Sequence, residues 1–448
     1  MIQKKYLILA GFLFLHLLIL SRLQFTAWPE MVSFPYLINH GFVTYRDMVH
    51  AYPPLLISTL SVLYKIFGYK ILVLKIFGWV TILVSDLLVF LILKKMLKKI
   101  EPALYGLFIF VILQPILEGN MVWPDLFIVP FLLLTFLLLF KRKYLFAGIA
   151  IGLAILTKQT GVLFLVISGI WLLAYERKNF KSLLNYVLGV LVIVLPFLIF
   201  LLKQNAMSDF INWTIIYPSK YWTKFPRYVQ LSPTLRENLI LLVLLTPLGL
   251  LIFRATKKLF VDKTFLLLFG FFICGIVGIY PRFSFFHFQS ALAFLVILYF
   301  YISNKWKVLF IIPVIVLLLC FKSLQIGEAR FWTNEDIKLG QIIQKESLAG
   351  EPIYLLGLNS NLYAFADRLP NKPWLDNFGW YLEIAGVQQQ VVNSFTNNPP
   401  SVIFWRTPDS GSWCDIGTYQ PKMITDYIMK NYTRTKEIQK GIWEWKRN

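Results

Sequence analysis

The chain has 448 residues, of which 58% are hydrophobic and 15% charged, and its mean hydropathy is +0.65. A soluble domain of this composition could not cover its own surface, so we predict a polytopic α-helical membrane protein. The formal net charge of +21 comes from short basic clusters between apolar runs. This placement is typical of a membrane protein that contacts lipids, and we do not expect the protein to bind nucleic acid.

Apolar runs follow one another along the chain and predict about eleven transmembrane helices. They occupy residues 6–25, 71–93, 103–117, 125–140, 144–157, 161–175, 183–202, 239–253, 264–279, 289–303 and 308–323. Every second loop is basic, so the positive-inside rule predicts a cytoplasmic N-terminus, and an odd number of spans then places the C-terminal segment outside. No small-residue cleavage site follows the first run, so an uncleaved first span is predicted. The predicted location is the plasma membrane, crossed many times.

The chain is expected to divide into a transmembrane domain, residues 1–324, whose first outer loop is residues 26–70, and a small extracytoplasmic α/β domain, residues 325–448. In the second part, "PIYLLG" (352–357), "SVIFW" (401–405) and "GIWEW" (441–445) predict strands. Helices are predicted from Asn334, taken as an N-cap, and from Pro421. Residues 55–67 predict a surface helix, and the aromatic segment 203–238 suits the membrane interface.

Polar side chains interrupt the apolar sequence mainly on the predicted outer side. They are Glu30, Arg46, Asp47, His50 and Tyr52 in the first loop, Glu118 and Asp125 in the second, Lys158 and Gln159 in the third, and Arg282 and His287 in a later one. Cations beside carboxylates suit a lipid-linked phosphate, since the cations neutralise the phosphate while a carboxylate accepts a proton or binds a divalent cation. The simpler interpretations are solvated loop acids, snorkelling lysine and headgroup contacts.

Residues 28–56, "WPEMVSFPYLINHGFVTYRDMVHAYPPLL", resemble the first outer loop of the GT-C superfamily of membrane glycosyltransferases. The resemblance is to the branch of polyprenyl-phosphate-sugar-dependent enzymes that holds protein O-mannosyltransferases and aminoarabinose transferases. Its pattern is matched by Glu30, by Gly41, Tyr45, Arg46 and Asp47, and by Pro53-Pro54. Asp125 at the start of a span, and the segment from Ala147-Gly148 to Thr157-Lys158, continue the resemblance.

The resemblance implies transfer of a sugar from a polyprenyl-phosphate donor to a hydroxyl of a lipid, glycan or protein acceptor, with inversion at the sugar carbon. It implies catalytic roles for Glu30 and Asp47, either of which could be the base. It implies donor-phosphate contacts for Lys158, Arg282 and Arg46, and substrate contacts for Tyr45, His50, Tyr52, Gln159 and His287. A divalent metal, if the enzyme uses one, would be bound by Asp125 and His50. The family's frequent Asp-Glu pair is reduced here to one acid.

Two other functions stay open at this point. A lipid-linked sugar flippase or exporter would need polar groups within the membrane, and Asp86 and Gln114 are the available ones. A non-catalytic scaffold would bind glycan through its C-terminal domain. For Asp86, and for His16 in the first span, we expect a role in helix packing. Cys274, Cys320 and Cys414 lie far apart, so neither a disulfide framework nor a thiolate metal site is predicted.

Overall fold

The structure is a computed structural model that describes residues 2–176, 180–254, 257–303, 306–406 and 420–448. Cys414 and parts of three predicted basic clusters lie outside the described residues. The α-helices in chain order are α1 (Ile2–Arg22), α2 (Glu30–Asn39), α3 (Leu55–Phe67), α4 (Ile71–Leu97), α5 (Ile100–Gln114), α6 (Pro124–Phe127), α7 (Val129–Phe140), α8 (Tyr144–Thr157), α9 (Gly161–Tyr175), α10 (Phe180–Lys203), α11 (Met207–Ile211), α12 (Tyr217–Lys220), α13 (Leu235–Arg254), α14 (Lys263–Val277), α15 (Gln289–Ile302), α16 (Ile311–Cys320), α17 (Asn334–Lys345), α18 (Leu362–Ala366), α19 (Gly379–Leu382), α20 (Val387–Asn397) and α21 (Lys422–Asn431). The strands are β1 (Ile353–Leu356), β2 (Val402–Arg406), β3 (Tyr432–Gln439) and β4 (Ile442–Arg447).

The chain forms two compact units, each assembled from segments that are distant in sequence. Unit 1 comprises Met1–Thr26, Leu74–Phe197 and Leu231–Glu328, and unit 2 comprises Ala27–Val73, Leu198–Gln230 and Ala329–Asn448. The predicted first outer loop and the predicted C-terminal domain therefore belong almost entirely to one unit, which they share with much of the aromatic segment.

Unit 1 is a bundle of apolar helices. Each of the eleven predicted runs is largely helical, because a helix satisfies its backbone hydrogen bonds internally wherever water is excluded. Within the described ranges, five helices are long and apolar enough to span a membrane by length and composition, and several others, such as α8 and α9, are shorter. The number of crossings stays a prediction.

The core of unit 1 surrounds α15, which is buried without interruption from Gln289 to Phe300. Helices α5, α7, α13 and α14 all contact it. Glycines allow the closest helix approach, between α8 and α10. A Cβ atom at Gly148 would meet the backbone oxygen of Tyr186, and one at Gly189 would meet the backbone oxygen of Leu145. Only glycine fits at these two positions.

A buried polar network joins three helices of unit 1. The His16 ring places Nδ1 2.7 Å from the Asp86 carboxylate and Nε2 3.1 Å from Oε1 of Gln114. The prediction that His16 and Asp86 serve helix packing is confirmed by these hydrogen bonds. The two polar groups that favoured a flippase, Asp86 and Gln114, are thus both engaged in helix contacts.

Unit 2 contains a four-stranded mixed sheet in the order β1-β2-β4-β3. Strand β1 pairs with β2 in parallel, while β2 with β4 and β3 with β4 are antiparallel. The three predicted strands are confirmed as β1, β2 and β4, and the two predicted helices as α17 and α21. Helix α3 coincides with the predicted surface helix and packs against α2.

Two local details of unit 2 differ from the sequence prediction. The N-cap of α17 is Thr333, and Asn334 is the first helical residue. Thr333 is the N-cap because Asp336 completes a capping box with it. The Asp336 carboxylate accepts a hydrogen bond from the Thr333 N–H at 2.9 Å. Strand β3 was not predicted, because its sequence is polar and six of its eight residues are exposed.

Candidate active site

Glu30 opens helix α2 in unit 2, directly after Trp28-Pro29. Pro29 is the N-cap, and its carbonyl accepts from the Ser33 N–H at 2.9 Å, so the Trp-Pro turn fixes where the helix begins. One carboxylate oxygen of Glu30, Oε2, is buried and has no hydrogen-bond partner among the described residues. Burial, and then the charge of Asp376, raise the pKa of Glu30 well above its usual range.

Asp376 was not recognised from the sequence, although it is the acid that acts on Glu30. It is 2% exposed, and both of its oxygens accept hydrogen bonds. Oδ2 accepts from the Ser360 hydroxyl at 3.0 Å, and Oδ1 accepts from the Asn377 N–H at 2.8 Å. A second hydroxyl continues the chain, since Ser33 of α2 donates to Ser360 at 3.1 Å. The pKa of Asp376 is also raised by burial.

Asp47, the other predicted catalytic acid, lies between two cations of the same unit. Arg46 Nε donates to Oδ1 at 2.7 Å, and Lys372 Nζ lies 3.2 Å from Oδ2. The Val43 N–H donates to Oδ2 at 3.0 Å. Burial would raise the pKa of Asp47, but the hydrogen bonds from Arg46, Val43 and Lys372 outweigh it and lower the pKa below its usual range. A carboxylate stabilised in this way is a weak base.

Lys372 reaches the first loop because its segment runs beside that loop. The Trp374 N–H donates to the Asp47 carbonyl at 2.9 Å, and the Val49 N–H donates to the Trp374 carbonyl at 3.0 Å. Lys372 Nζ also donates to the Gly41 carbonyl at 2.7 Å and lies 4.4 Å from the centre of the Phe42 ring. Arg46 Nη1 donates to the Gln204 carbonyl at 3.1 Å. The first-loop turn is therefore held by two later segments of unit 2.

Tyr45, His50 and Tyr52, predicted as substrate contacts, form a packed aromatic group. Tyr45 adopts a left-handed φ of 75°, and its hydroxyl donates to the Tyr52 carbonyl at 2.8 Å. His50 is 2% exposed, with its ring 5.2 Å from that of Phe34 and 5.9 Å from that of Tyr45. Burial lowers the pKa of His50 to about 3, so its imidazole is neutral. Their substrate roles stay predictions.

Aromatic side chains from the middle segment cover the Glu30 region of unit 2. Tyr381, on which the charge of Glu30 acts, has its ring 5.2 Å from Trp222 and 6.0 Å from Trp213. Beside Tyr381, Trp380 lines an open cavity of about 290 Å³ together with Phe225 and other residues. The aromatic segment at 203–238 thus packs in part on the C-terminal part of the chain.

In unit 1 the predicted polar residues form a second cluster around Asp125. Lys158 Nζ lies 2.5 Å from Oδ1 of Asp125, and His287 Nδ1 lies 3.1 Å from Oδ2. Lys158 also donates to the Gly278 carbonyl at 3.4 Å. Both members of the Lys158–Asp125 pair are almost completely buried, so the carboxylate balances an ammonium that could not otherwise stay charged there.

The other residues that were predicted for the site in unit 1 are Gln159, Arg282 and Glu118. Gln159 follows Lys158 at the start of the turn into α9 and is partly exposed. Arg282 lies in the turn before α15, where its N–H donates to the Ile279 carbonyl at 3.1 Å, and its side chain is partly buried. Glu118 is exposed and accepts from the Phe286 N–H at 3.3 Å. The donor-phosphate roles of Lys158, Arg282 and Arg46 stay predictions.

The sequence suggested that the predicted polar residues form one group. In the structure they belong to two clusters, one in each unit. Unit 2 holds Glu30, Arg46, Asp47, His50 and the aromatic residues, and unit 1 holds Asp125, Lys158, Gln159, Arg282 and His287. Within the described part of the chain, no group of three or more His, Cys, Asp or Glu side chains is placed to hold a metal ion. Of the two predicted metal ligands, Asp125 belongs to unit 1 and His50 to unit 2. Metal binding stays a prediction.

Comparison with known proteins gives a family match for part of the chain and a fold match for almost all of it. Residues 51–201 match the family described as dolichyl-phosphate-mannose-protein mannosyltransferase. The crystal structure of ArnT from Cupriavidus metallidurans bound to undecaprenyl phosphate is similar, with a TM-score of 0.62, 13% identity, and coverage of 98% of this chain and 97% of that one. Apo ArnT from the same organism gives the same TM-score with 12% identity and the same coverage. No curated protein matches.

The matched family segment runs from Ala51 through α8 and α9 into α10, so it includes Asp125 and Lys158. The fold match extends over almost the whole chain and includes the sheet-containing C-terminal part. These two findings agree with the resemblance carried by the first outer loop. The chain is a multi-pass membrane protein with the fold of the ArnT structures, and its residues 51–201 match the mannosyltransferase family.

Proposed function

We propose that the protein transfers a sugar from a polyprenyl-phosphate donor to an acceptor hydroxyl at the outer face of the plasma membrane. The single observation that carries the proposal is the contrast between two acids in unit 2. Glu30 is partly buried and has a raised pKa, whereas Asp47 is ion-paired and has a lowered one. General bases are tuned by such differences in environment, because a carboxylate with a raised pKa binds a proton more strongly.

Glu30 is therefore the base. Its carboxylate accepts the proton of the acceptor hydroxyl while the acceptor oxygen forms a bond to the anomeric carbon. The bond between that carbon and the phosphate oxygen breaks, and its electron pair stays on the polyprenyl phosphate. Attack from the side opposite the phosphate inverts the sugar carbon. Asp47 takes no proton in this scheme and instead holds Arg46 and Lys372 in place.

The cations supply charge for the departing phosphate. Arg46 keeps a partly exposed guanidinium in unit 2, and Lys158 and Arg282 are the corresponding cations of unit 1. The ammonium of Lys158 has three hydrogens, and its contacts with Asp125 and Gly278 account for two of them. Neutralising charge that develops on a leaving group is among the largest catalytic effects of preorganised sites. The ArnT structure with undecaprenyl phosphate supports a polyprenyl-phosphate donor.

Metal assistance is a separate part of the proposal. The resemblance assigns Asp125 and His50 to a divalent cation, which would add positive charge for the leaving phosphate. The existing contacts of Asp125, with Lys158 and His287, already neutralise that carboxylate without a metal. We therefore propose that transfer does not require a divalent cation.

The test is a donor panel on purified protein in nanodiscs. Radiolabelled polyprenyl-phosphate sugars are supplied with candidate acceptors, with and without a chelator, and the release of polyprenyl phosphate is followed. Glu30→Gln is expected to lower kcat by about 10²–10⁴-fold, because it removes the base. Glu351→Gln, an exposed acid of the same unit, is the matched control and should behave as wild type.

Full activity of Glu30→Gln would refute the assignment of the base. Transfer that persists in chelator would exclude an essential divalent cation, and loss of transfer would restore the metal role of Asp125 and His50. Tight donor binding without turnover, equal in wild type and Glu30→Gln, would favour the flippase or scaffold instead. Cysteine labelling from either side of sealed vesicles tests the predicted cytoplasmic N-terminus and extracytoplasmic C-terminus.

A further inference from the structure

The pairing of Glu30 with a second buried acid goes beyond the proposed transfer reaction and rests on it. The two residues are more than 300 positions apart in sequence, yet both belong to unit 2, and the charge of Asp376 acts on Glu30. Two carboxylates that repel each other where burial removes most of the water cannot both be charged at low cost, so one of them holds a proton over a wide pH range. The hydrogen bonds indicate which one it is.

Asp376 has the contacts of an anion. It accepts from the Ser360 hydroxyl and from the Asn377 N–H, and both donors stabilise the charged form. Glu30 has fewer such donors: its own backbone N–H favours the charged form, but its Oε2 is buried and has no hydrogen-bond partner among the described residues. The proton of the pair therefore belongs on Glu30 in the resting protein.

Two hydroxyls fix Asp376 against the helix that carries Glu30. Ser33 lies three residues after Glu30, so both side chains are on the same face of α2. Ser33 donates to Ser360 at 3.1 Å, and Ser360 donates to Asp376 at 3.0 Å. Ser33, Ser360 and Asp376 are each no more than 2% exposed. The position of Asp376 is thus set by α2 itself.

We propose that Asp376 is a positioning residue that keeps a proton on Glu30 before the acceptor binds and makes the Glu30 carboxylate a stronger base once that proton has left. During transfer, the proton of the acceptor hydroxyl goes to Glu30. That proton returns Glu30 to its neutral resting form, and it leaves to solvent when the next acceptor binds, which restores the carboxylate that acts as the base. Asp376 stays an anion throughout and touches neither substrate.

The titratable surroundings support this assignment. The groups that act on the pKa of Glu30 are Asp376 and its own backbone N–H, in addition to burial. Tyr381 faces Glu30, and Tyr354 and Tyr363 face Asp376. Burial raises the pKa of all three phenols, so they stay neutral and do not titrate with the pair.

The test is the pH dependence of transfer in Asp376→Asn. A base must be deprotonated to act, so the wild-type rate rises with pH as Glu30 loses its proton. Asp376→Asn removes the neighbouring charge and lowers the pKa of Glu30, so the acid limb of kcat moves to lower pH. Each unit of displacement raises the rate on that limb about tenfold. Asp376→Glu keeps the charge and should keep the wild-type limb.

The matched control is Asp367→Asn, which removes an acid of the same unit that hydrogen-bonds to Tyr36 and is not among the groups acting on Glu30. It should leave the limb in place. A merely structural role of Asp376 would lower the rate of Asp376→Asn at every pH without moving the limb, and that result would overturn the proposal.

A second readout does not depend on transfer. The infrared band of a protonated carboxyl group, identified by its loss in Glu30→Gln, is titrated in the purified full-length protein. The band should persist to higher pH in wild type than in Asp376→Asn. Equal titration in the two proteins would overturn the proposal even if no donor is turned over. Loss of transfer in Glu30→Gln with equal titration would leave the proposed function standing and remove only the role of Asp376.

Discussion

Breaking the buried ion pair of unit 1 should have a large and specific effect on stability. Lys158 and Asp125 are 8% and 5% exposed, and their charged atoms are 2.5 Å apart. At an effective dielectric constant of about 20, that separation corresponds to an attraction of about 7 kcal/mol. Desolvation of the two ions cancels several kcal/mol of this attraction, but removing one partner leaves the other buried and uncompensated.

Lys158→Met is therefore expected to lower the free energy of unfolding by about 3 kcal/mol, near the lower end of the range for a broken buried pair. The lower end applies because His287 keeps its contact with Asp125 at 3.1 Å. Asp125→Asn should also destabilise, since Lys158 then retains only weaker partners such as the Gly278 carbonyl at 3.4 Å.

The double variant Asp125→Asn/Lys158→Met separates the pair energy from other losses. Its destabilisation should be smaller than the sum of the two single effects by about 1–3 kcal/mol, because no uncompensated charge remains. Unfolding by SDS in mixed micelles, followed by tryptophan fluorescence, gives the three values. Lys143→Met, which removes an exposed lysine of unit 1, is the control and should stay within about 0.5 kcal/mol of wild type. Strictly additive single effects would refute the reasoning.

Two further predictions concern unit 2. Thr333→Ala should lower the stability of unit 2 by about 1 kcal/mol, since the capping box with Asp336 is lost, whereas Thr333→Ser should keep it. Thermal unfolding measures both variants, and equal melting temperatures would argue against the cap. Lys372→Met removes one group that lowers the pKa of Asp47, so the variant gains less stability when this acid ionises. Its deficit should therefore be largest near neutral pH and shrink as the pH falls below 3.8, the usual pKa of Asp, and a deficit independent of pH would contradict the ion pair.

The sequence predicted the helices and strands whose patterns are local. Helix α3 was predicted at Leu55–Phe67 because Pro-Pro precedes an apolar stretch that is too short to span the membrane. Strand β3 was missed because its position at the sheet edge lets its side chains be polar, which removes the period-two signal. The cap of α17 was placed one residue late, because Thr and Asn are both good caps and only the Asp336 contact distinguishes them.

The candidate site was predicted only where its residues are neighbours in sequence. Arg46 and Asp47 are adjacent in the sequence and form an ion pair, and both were identified by the resemblance of the first outer loop. Asp376 and Lys372 carry no local motif, since each becomes meaningful only when it lies beside Glu30 or Asp47. No single-sequence pattern reports contacts across more than 300 residues. A carboxylate in a Trp-Leu-Asp-Asn stretch therefore looked like an ordinary acid of a C-terminal domain.

The backbone hydrogen bonds that join Val49 and Asp47 to Trp374 impose an order on biosynthesis. The first-loop turn leaves the ribosome more than 300 residues before its partner, which at about 5–20 residues per second is a delay of roughly 15–65 s. During that time the newly made protein has its membrane helices and its acidic turn, but it lacks Lys372 and Asp376. A chain that terminates early should therefore be inserted yet inert, so polyprenyl-linked sugar would be consumed only by complete molecules.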